Sequence, residues 1–262
     1  MEKVRIQKWL AECGVDSRRG AEKLVAAGMV KINGETAQIG QSIDPKKDRV
    51  TVDGRAVQRA SRQVYLMLHK PRGYITTMHD EMDRKCVAEL VSEVPERIYP
   101  VGRLDRESEG LLLMTNDGAF ANRMTHPSKH VPKTYRVTVR PGITEEQIAA
   151  MTMGMEIDGY QTVPAQVRVL EEQPGRAVVQ IVLHEGRNRQ IRNMCEKLGL
   201  EVARLKRTAV GQLRLGMLQP GQWRELTREE VRMLQGKEET PEEAPKKRRT
   251  PPRSRAVGKK RG

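Results

Sequence analysis

Aromatic side chains are scarce in this 262-residue chain: five Tyr, two Trp and one Phe, 3% of the total. So few rings exclude a broad stacking platform for nucleobases as a main binding mode. Cysteine is rare too. Cys13, Cys86 and Cys195 are odd in number, far apart and without C-x-x-C spacing, so they read as reduced packing residues and indicate neither a disulfide framework nor a zinc site. No run of about 18 apolar residues occurs, and Met1-Glu2-Lys3-Val4-Arg5 leads into an amphipathic segment, not a signal-peptide core. A soluble, cytoplasmic protein without membrane association is expected. Acids are in deficit, 34 Asp+Glu against 48 Lys+Arg, for a formal net charge of +14. That surplus favours a polyanionic partner, because each cation set on a phosphate releases counterions. Nucleic acid is the first candidate and an anionic membrane surface the second. No Walker or G-x-G-x-x-G sequence appears, His184-Glu185 lacks the second His of a zinc helix, and no Ser elbow or Cys-His set can be assembled.

What is present is ordered along the chain. Ile6, Trp9, Leu10 and Cys13, then Ala21, Leu24, Val25 and Gly28, fall at i, i+3, i+4, i+7, predicting two short helices separated by Gly14, with Ser17 as N-cap of the second. Val30–Glu35 alternates apolar with polar and contains Asn33-Gly34, a hairpin-turn pair, and Val50–Gly54 repeats the pattern. A polar stretch, Gln58–Gln63, separates this part from a second. There Val64–Leu68, Ile75–Thr77, Leu111–Met114, Tyr135–Val139 and Ala177–Leu183 read as strands. Ile191, Met194, Cys195 and Leu198 predict a helix, and Thr227-x-x-Glu230 is the capping box of a last one. Strands and long helices do not alternate regularly, which favours an α+β domain on a mixed, largely antiparallel sheet over a doubly wound one. Lys237–Pro245 is acidic and Pro-containing, and residues 246–262 hold nine Lys/Arg and no acid. Such a segment buries too little apolar surface to offset its ordering entropy and is expected to be a disordered basic tail that tethers RNA.

Within the second part, Gly102-Arg103-Leu104-Asp105-Arg106-Glu107-Ser108-Glu109-Gly110 runs into Leu111-Leu112-Leu113. A glycine-opened turn would hold Asp105 at the rim of a buried strand, where a carboxylate can do solvent-excluded chemistry. Taken alone, an arginine near an aspartate at a strand end is most often an ion pair. Here it is accompanied by Leu68-His69-Lys70-Pro71-Arg72-Gly73-Tyr74, by Lys133-Thr134-Tyr135 and by Glu185-Gly186-Arg187-Asn188-Arg189-Gln190-Ile191-Arg192. In order and spacing these four segments resemble the pseudouridine synthases, within them the RsuA/RluB/RluE/RluF family that acts on ribosomal RNA. The likeness runs from about Met1 to Leu234. The W-L-A-x-x-G-V-x-S-R-R-x-A-E sequence from Trp9 resembles the small RNA-binding module of a ribosomal small-subunit protein, the alpha-L fold.

The resemblance implies an RNA-binding module over 1–60 and a catalytic domain over 64–236, and composition adds the tail over 237–262. It implies Asp105 as the catalytic carboxylate, Arg192 as the arginine that keeps it ionised, and Tyr135 as the ring that stacks on the flipped uracil. Arg103 would enter the stack that the uridine vacates. Lys70, Arg187, Arg189 and Gln190 are expected to contact the substrate, with Arg187 and Arg189 on phosphates. Arg5, Lys8, Arg18, Arg19, Lys23 and Lys31 are expected to form the phosphate-binding face of the module. Isomerising uridine breaks N1–C1′ and forms C5–C1′ with no redox change, so neither metal nor cofactor is expected, and the aspartate acts as nucleophile or as base. Ser108 stands where relatives usually carry Thr, and Arg106 where they carry a small neutral or acidic residue. The expected partner is ribosomal RNA or a pre-ribosomal particle, bound by a monomer, with the large-subunit RNA as target. The alternatives are the small-subunit RNA, or a non-catalytic assembly factor using the same surfaces.

Overall fold

The structure is a computed structural model that describes residues 3–59 and 62–236. The first unit comprises β1 Val4–Arg5, α1 Ile6–Glu12, α2 Arg18–Ala26, β2 Val30–Ile32, β3 Glu35–Thr36, β4 Ser42–Ile43, β5 Val50–Val52 and β6 Arg55–Ala56. Its sheet has the order β3-β2-β5-β6, beside a separate β1-β4 pair. The Ser17 hydroxyl accepts the Gly20 N–H at 2.9 Å, a cap that contributes about 1 kcal/mol. Asn33-Gly34 (φ 52° and 92°) and Asp53-Gly54 (φ 48° and 74°) make the tight turns, where positive φ at both central residues matches the strand twist. Ile6, Leu10, Ala21, Val25, Val30, Ile43 and Val50 form the unit's own core.

The second unit contains β7 Tyr65–Lys70, α3 Val87–Leu90, β8 Tyr99–Val101, β9 Glu109–Thr115, α4 Gly118–Thr125, β10 Lys133–Arg140 and α5 Glu145–Met153. It continues with β11 Glu156–Ile157, β12 Tyr160–Gln161, β13 Gln166–Gln173, β14 Arg176–Leu183, α6 Gln190–Lys197, β15 Glu201–Val210, β16 Leu213–Arg214, β17 Trp223–Glu225 and α7 Arg228–Leu234. Nine strands form one sheet in the order β13-β14-β10-β15-β9-β7-β17, with β16 on β15 and β8 on β9. β15 runs parallel to β9, and the other pairings are antiparallel. The fold is therefore α+β on a mixed, largely antiparallel sheet.

Burial differs along that sheet for a physical reason. All seven residues of β9 are buried, because Leu111 and Leu113 pack with Met67 and Phe120 on one face while Leu112 and Met114 pack with Leu66 and Leu68 on the other. A strand covered on both sides reads as a continuous apolar run. In β10, by contrast, Val137 and Val139 face Ile181, Met194 and Cys195, and the alternate residue Arg136 is exposed, paired across the sheet with Lys206. The expected strand at Ile75–Thr77 does not form. Ile75 makes a single bridge to Cys86, and Thr76 uses its side chain elsewhere, as described below. The capping box at Thr227 and Glu230 closes the start of α7 as expected. Among the described residues no helix is long and apolar enough to cross a membrane. The basic tail, and Ala60 and Ser61 of the polar stretch, lie outside the described residues.

Candidate active site

β7 and β9 pair with Lys70 opposite Gly110, so the end of β7 lies beside the loop over residues 102–108 that feeds β9. Gly102 turns the chain there with φ +75°. The loop's carbonyls are then captured one after another. Arg207 Nη1 reaches the Arg103 carbonyl at 3.5 Å, and the Thr76 hydroxyl donates to the Leu104 carbonyl at 2.7 Å and accepts the Leu104 N–H at 3.2 Å. Lys70 Nζ donates to the carbonyls of Asp105 at 3.0 Å and Ser108 at 2.8 Å, and the Gly73 N–H to that of Arg106 at 2.7 Å. A loop tied at five consecutive or near-consecutive carbonyls holds its side chains still, which is what positioning a reacting carboxylate requires.

Asp105 is half-buried and opens on a cleft of about 370 Å³ shared with Arg103, Tyr135, Arg187, Arg189 and Gln190. Tyr135 comes from β10, Arg103 from the 102–108 loop, and the other three from the 186–190 loop and the start of α6. Arg189 is the N-cap of α6 with φ 49°, and its guanidinium lies 3.8 Å from Glu107, bridging the two loops. The Arg187 guanidinium stacks 3.1 Å from the Tyr160 ring centroid, a cation–π contact. Glu185 anchors this wall: its carboxylate accepts from the Tyr160 hydroxyl at 2.7 Å, the Val163 N–H at 2.9 Å and Gln190 Nε2 at 2.6 Å.

Two expectations need correction, and a third residue has an added role. Lys70 does not face the cleft: it is 0% exposed, and its ammonium is spent on carbonyls of the Asp105 loop and of Pro71. It holds the loop and does not present itself to a substrate. Burial pushes its pKa down to about 8, against the upward pull of Asp105, Glu107 and Glu109. Gln190 does line the cleft, but at 5% exposed its amide also serves Glu185 and the Arg187 N–H and so braces the wall. Arg192 closes no ion pair with Asp105 among the described residues; its Nη1 donates to the Val202 carbonyl at 3.4 Å, and its buried Nε has no partner. Burial and then Arg189 lower its pKa, while the Asp105 charge raises it.

The six cations of the N-terminal unit are all exposed, but they do not form one free face. Arg5 is tied to the Gly40 carbonyl at 2.9 Å. Lys8 sits 3.8 Å from Glu12, and Lys8 and Arg18 line a hollow with Arg97, Tyr99 and Gly118 of the second unit. Arg19, Lys23 and Lys31 make no ion pair or side-chain hydrogen bond among the described residues. Sequence reasoning missed Thr76, Tyr160, Lys133 and Arg207. Arg207 is the most consequential: at 5% exposed it donates to the Leu111 carbonyl at 2.7 Å, and nothing in the alternating Val202–Val210 segment marks one cation as buried.

The family model for RNA pseudouridylate synthase matches residues 64–197, and that for the S4 domain matches residues 4–46. The ribosomal large subunit pseudouridine synthase B of Bacillus subtilis (strain 168) is 41% identical over 233 residues, covering 88% of this chain and 95% of that protein. The dual-specificity RNA pseudouridine synthase RluF of Escherichia coli (strain K12) is 38% identical over 230 residues, 87% of this chain and 77% of that one. An uncharacterized RNA pseudouridine synthase of Aquifex aeolicus (strain VF5) is 41% identical over 236 residues, 89% and 94% of the two chains. A crystal structure of a pseudouridylate synthase superposes with a TM-score of 0.64 at 29% identity, covering 88% of this chain and 99% of that one. An aspartate on a pinned loop, facing a cationic cleft and joined to an S4 domain, thus stands in a recognised setting: the chain belongs to the RNA pseudouridylate synthase family and is an isomerase acting on RNA.

Proposed function

We propose that this enzyme converts a uridine of ribosomal RNA to pseudouridine, that the large-subunit RNA is its target, and that Asp105 is the catalytic carboxylate. The observation that carries the reading is the Asp105 loop itself, whose carbonyls are held by Lys70, Gly73, Thr76 and Arg207 while its carboxylate opens on the cleft. A target uridine must leave its stack, at a cost of a few kcal/mol. Arg103, exposed at the cleft's edge, fills the vacated place, a planar guanidinium being able to stack on bases and pair with phosphates. Tyr135 stacks on the extruded uracil. Arg187 and Arg189 hold the strand's phosphates, and Asp105 acts on the sugar or the base as N1–C1′ breaks and C5–C1′ forms. Arg192 adds positive charge near the site, its guanidinium coupled electrostatically to Asp105 without an ion pair among the described residues. Residues 1–60 form the RNA-binding module and 64–236 the catalytic domain of a monomer that works in the cytoplasm on ribosomal RNA or a pre-ribosomal particle. The large-subunit assignment is supported by the named target of the Bacillus subtilis relative.

Asp105→Asn tests the chemistry. It removes the reacting oxygen, keeps the shape and lowers repulsion of phosphate, so pseudouridine formation should be abolished while RNA affinity is kept. Turnover within tenfold of wild type sinks the assignment. Mapping pseudouridines in both ribosomal RNAs from cells with and without the protein tests the target: loss of a large-subunit site is expected, and loss confined to the small-subunit RNA refutes that part.

A further inference from the structure

Beside the Asp105 cleft, and continuous with it through Gly102, Arg103, Tyr135, Gly186 and Arg187, lies a second cavity of about 460 Å³. We propose that this cavity is a subsite for one backbone phosphate of the RNA strand next to the target uridine, held by Lys133 and Arg207. The inference rests on the functional reading above and adds to it a defined phosphate position.

Lys133 and Tyr135 alternate to the same side of β10, about 7 Å apart along the strand, and Tyr135 pairs with Arg207 of β15. All three side chains line the cavity. Arg207 is 95% removed from solvent, 5% exposed, yet its partners are two carbonyls and no carboxylate. The Lys133 ammonium has no ion pair or side-chain hydrogen bond among the described residues. A buried guanidinium and a half-buried ammonium at one cavity are costly unless an anion joins them. The cost is visible at Lys133, whose pKa is pushed down to about 8 by burial and then by Arg207. One carboxylate, Glu185, also lines the space, but its oxygens are occupied by Tyr160, Val163 and Gln190. His126, His130 and His184 also line it, and Val101, Leu113, Met124, Val163 and Val210 supply its apolar part. A phosphodiester suits such a site better than a nucleobase would, since it brings one negative charge and two free oxygens to two cationic donors.

The test uses the full-length enzyme and RNA fragments in which one linkage at a time, within three nucleotides of the target uridine, is a neutral methylphosphonate. One linkage should stand out, with kcat/KM about tenfold lower, in keeping with the loss of a charge-assisted hydrogen bond. Lys133→Met should lower kcat/KM on unmodified RNA by a similar factor through KM, and Lys133→Arg should restore most of it. On the RNA carrying the critical methylphosphonate, Lys133→Met should cost nothing further. Losses under twofold at every linkage overturn the subsite, as do losses that multiply in the variant. A wild-type enzyme inactive on all ribosomal RNA fragments overturns the functional reading and the subsite with it, whereas an active wild type with multiplying losses overturns the subsite alone.

Discussion

Lys70 shows how much a single buried residue decides here. Its four-carbon stem lies in the core and its ammonium ties the Asp105 and Ser108 carbonyls, so it sets the loop without touching RNA. Hydrogen bonds from a charged donor contribute about 1.5–3 kcal/mol. Lys70→Met keeps the stem and removes the donors; kcat should fall by about 10- to 100-fold with KM little changed, since each 1.36 kcal/mol is about a factor of ten. Single-turnover kinetics read this directly, and a kcat within twofold of wild type disproves the clamp. The same residue gives a pH dependence. Its folded pKa, about 8, is below its ordinary 10.5, so the unfolded chain holds the proton over that window and the folded chain does not. Its contribution to stability is therefore fully present above 10.5 and is lost as pH falls through about 8. Activity runs the other way: a neutral amine keeps two N–H groups for three carbonyls, and kcat should decline as pH rises through about 8. In Lys70→Met that limb of the kcat profile should be flat; a limb that persists unchanged assigns it to another group.

Among the elements, β9 is the keystone, because it joins two cores and meets β15 in the sheet's parallel pairing. Leu112→Ala should cost about 2–5 kcal/mol, read as a lower denaturant midpoint with an unchanged slope. Gly110 is a sharper case. Its φ is +111°, and a Cβ there would meet the Arg207 carbonyl oxygen at 2.2 Å and its nitrogen at 2.7 Å. Gly110→Ala must push β9 and β15 apart and carry Arg207 with it, a strain of about 1–3 kcal/mol from overpacking alone. Activity should therefore suffer beyond what the thermal midpoint explains; a variant as active as wild type means that the Arg207 contacts are dispensable. The leucines announced β9 in the sequence. The glycine's reason for being there did not show, since the strand it touches lies 97 positions along the chain at Arg207.

At the scale of the whole molecule, the chain carries a net charge of +14, and among the described residues some cations are engaged in protein contacts while others are left free. Arg19, Lys23 and Lys31 are exposed and unpaired among the described residues, whereas Arg5 and Lys8 are tied down. Replacing Arg19, Lys23 and Lys31 with Gln should lower the slope of log affinity against log salt by about 2, at roughly 0.7–0.9 per phosphate contact. Catalysis at saturating RNA should be unaffected. Binding measured across a salt series checks this, and an unaltered slope means that the first unit turns a different face to RNA.

The sequence alone determined what depends on near neighbours: the capped helices, the hairpin turns at Asn33-Gly34 and Asp53-Gly54, the run of leucines, and the segments whose order and spacing mark the family. Propensity, capping and turn geometry act within a few residues, so such features survive in one dimension. Tertiary structure decided what depends on distant strands meeting. It turned Lys70 from a candidate substrate contact into a buried brace, gave Gln190 on the cleft wall a bracing role as well, left Arg192 short of an ion pair with Asp105, and made Thr76 a support for Leu104 in place of a strand residue. It also buried Arg207 beside Lys133. A lysine or arginine carries the same local signal whether its charge ends in solvent or on a carbonyl contributed from a hundred residues away. Only the packing that removes water from one side chain and not another distinguishes them.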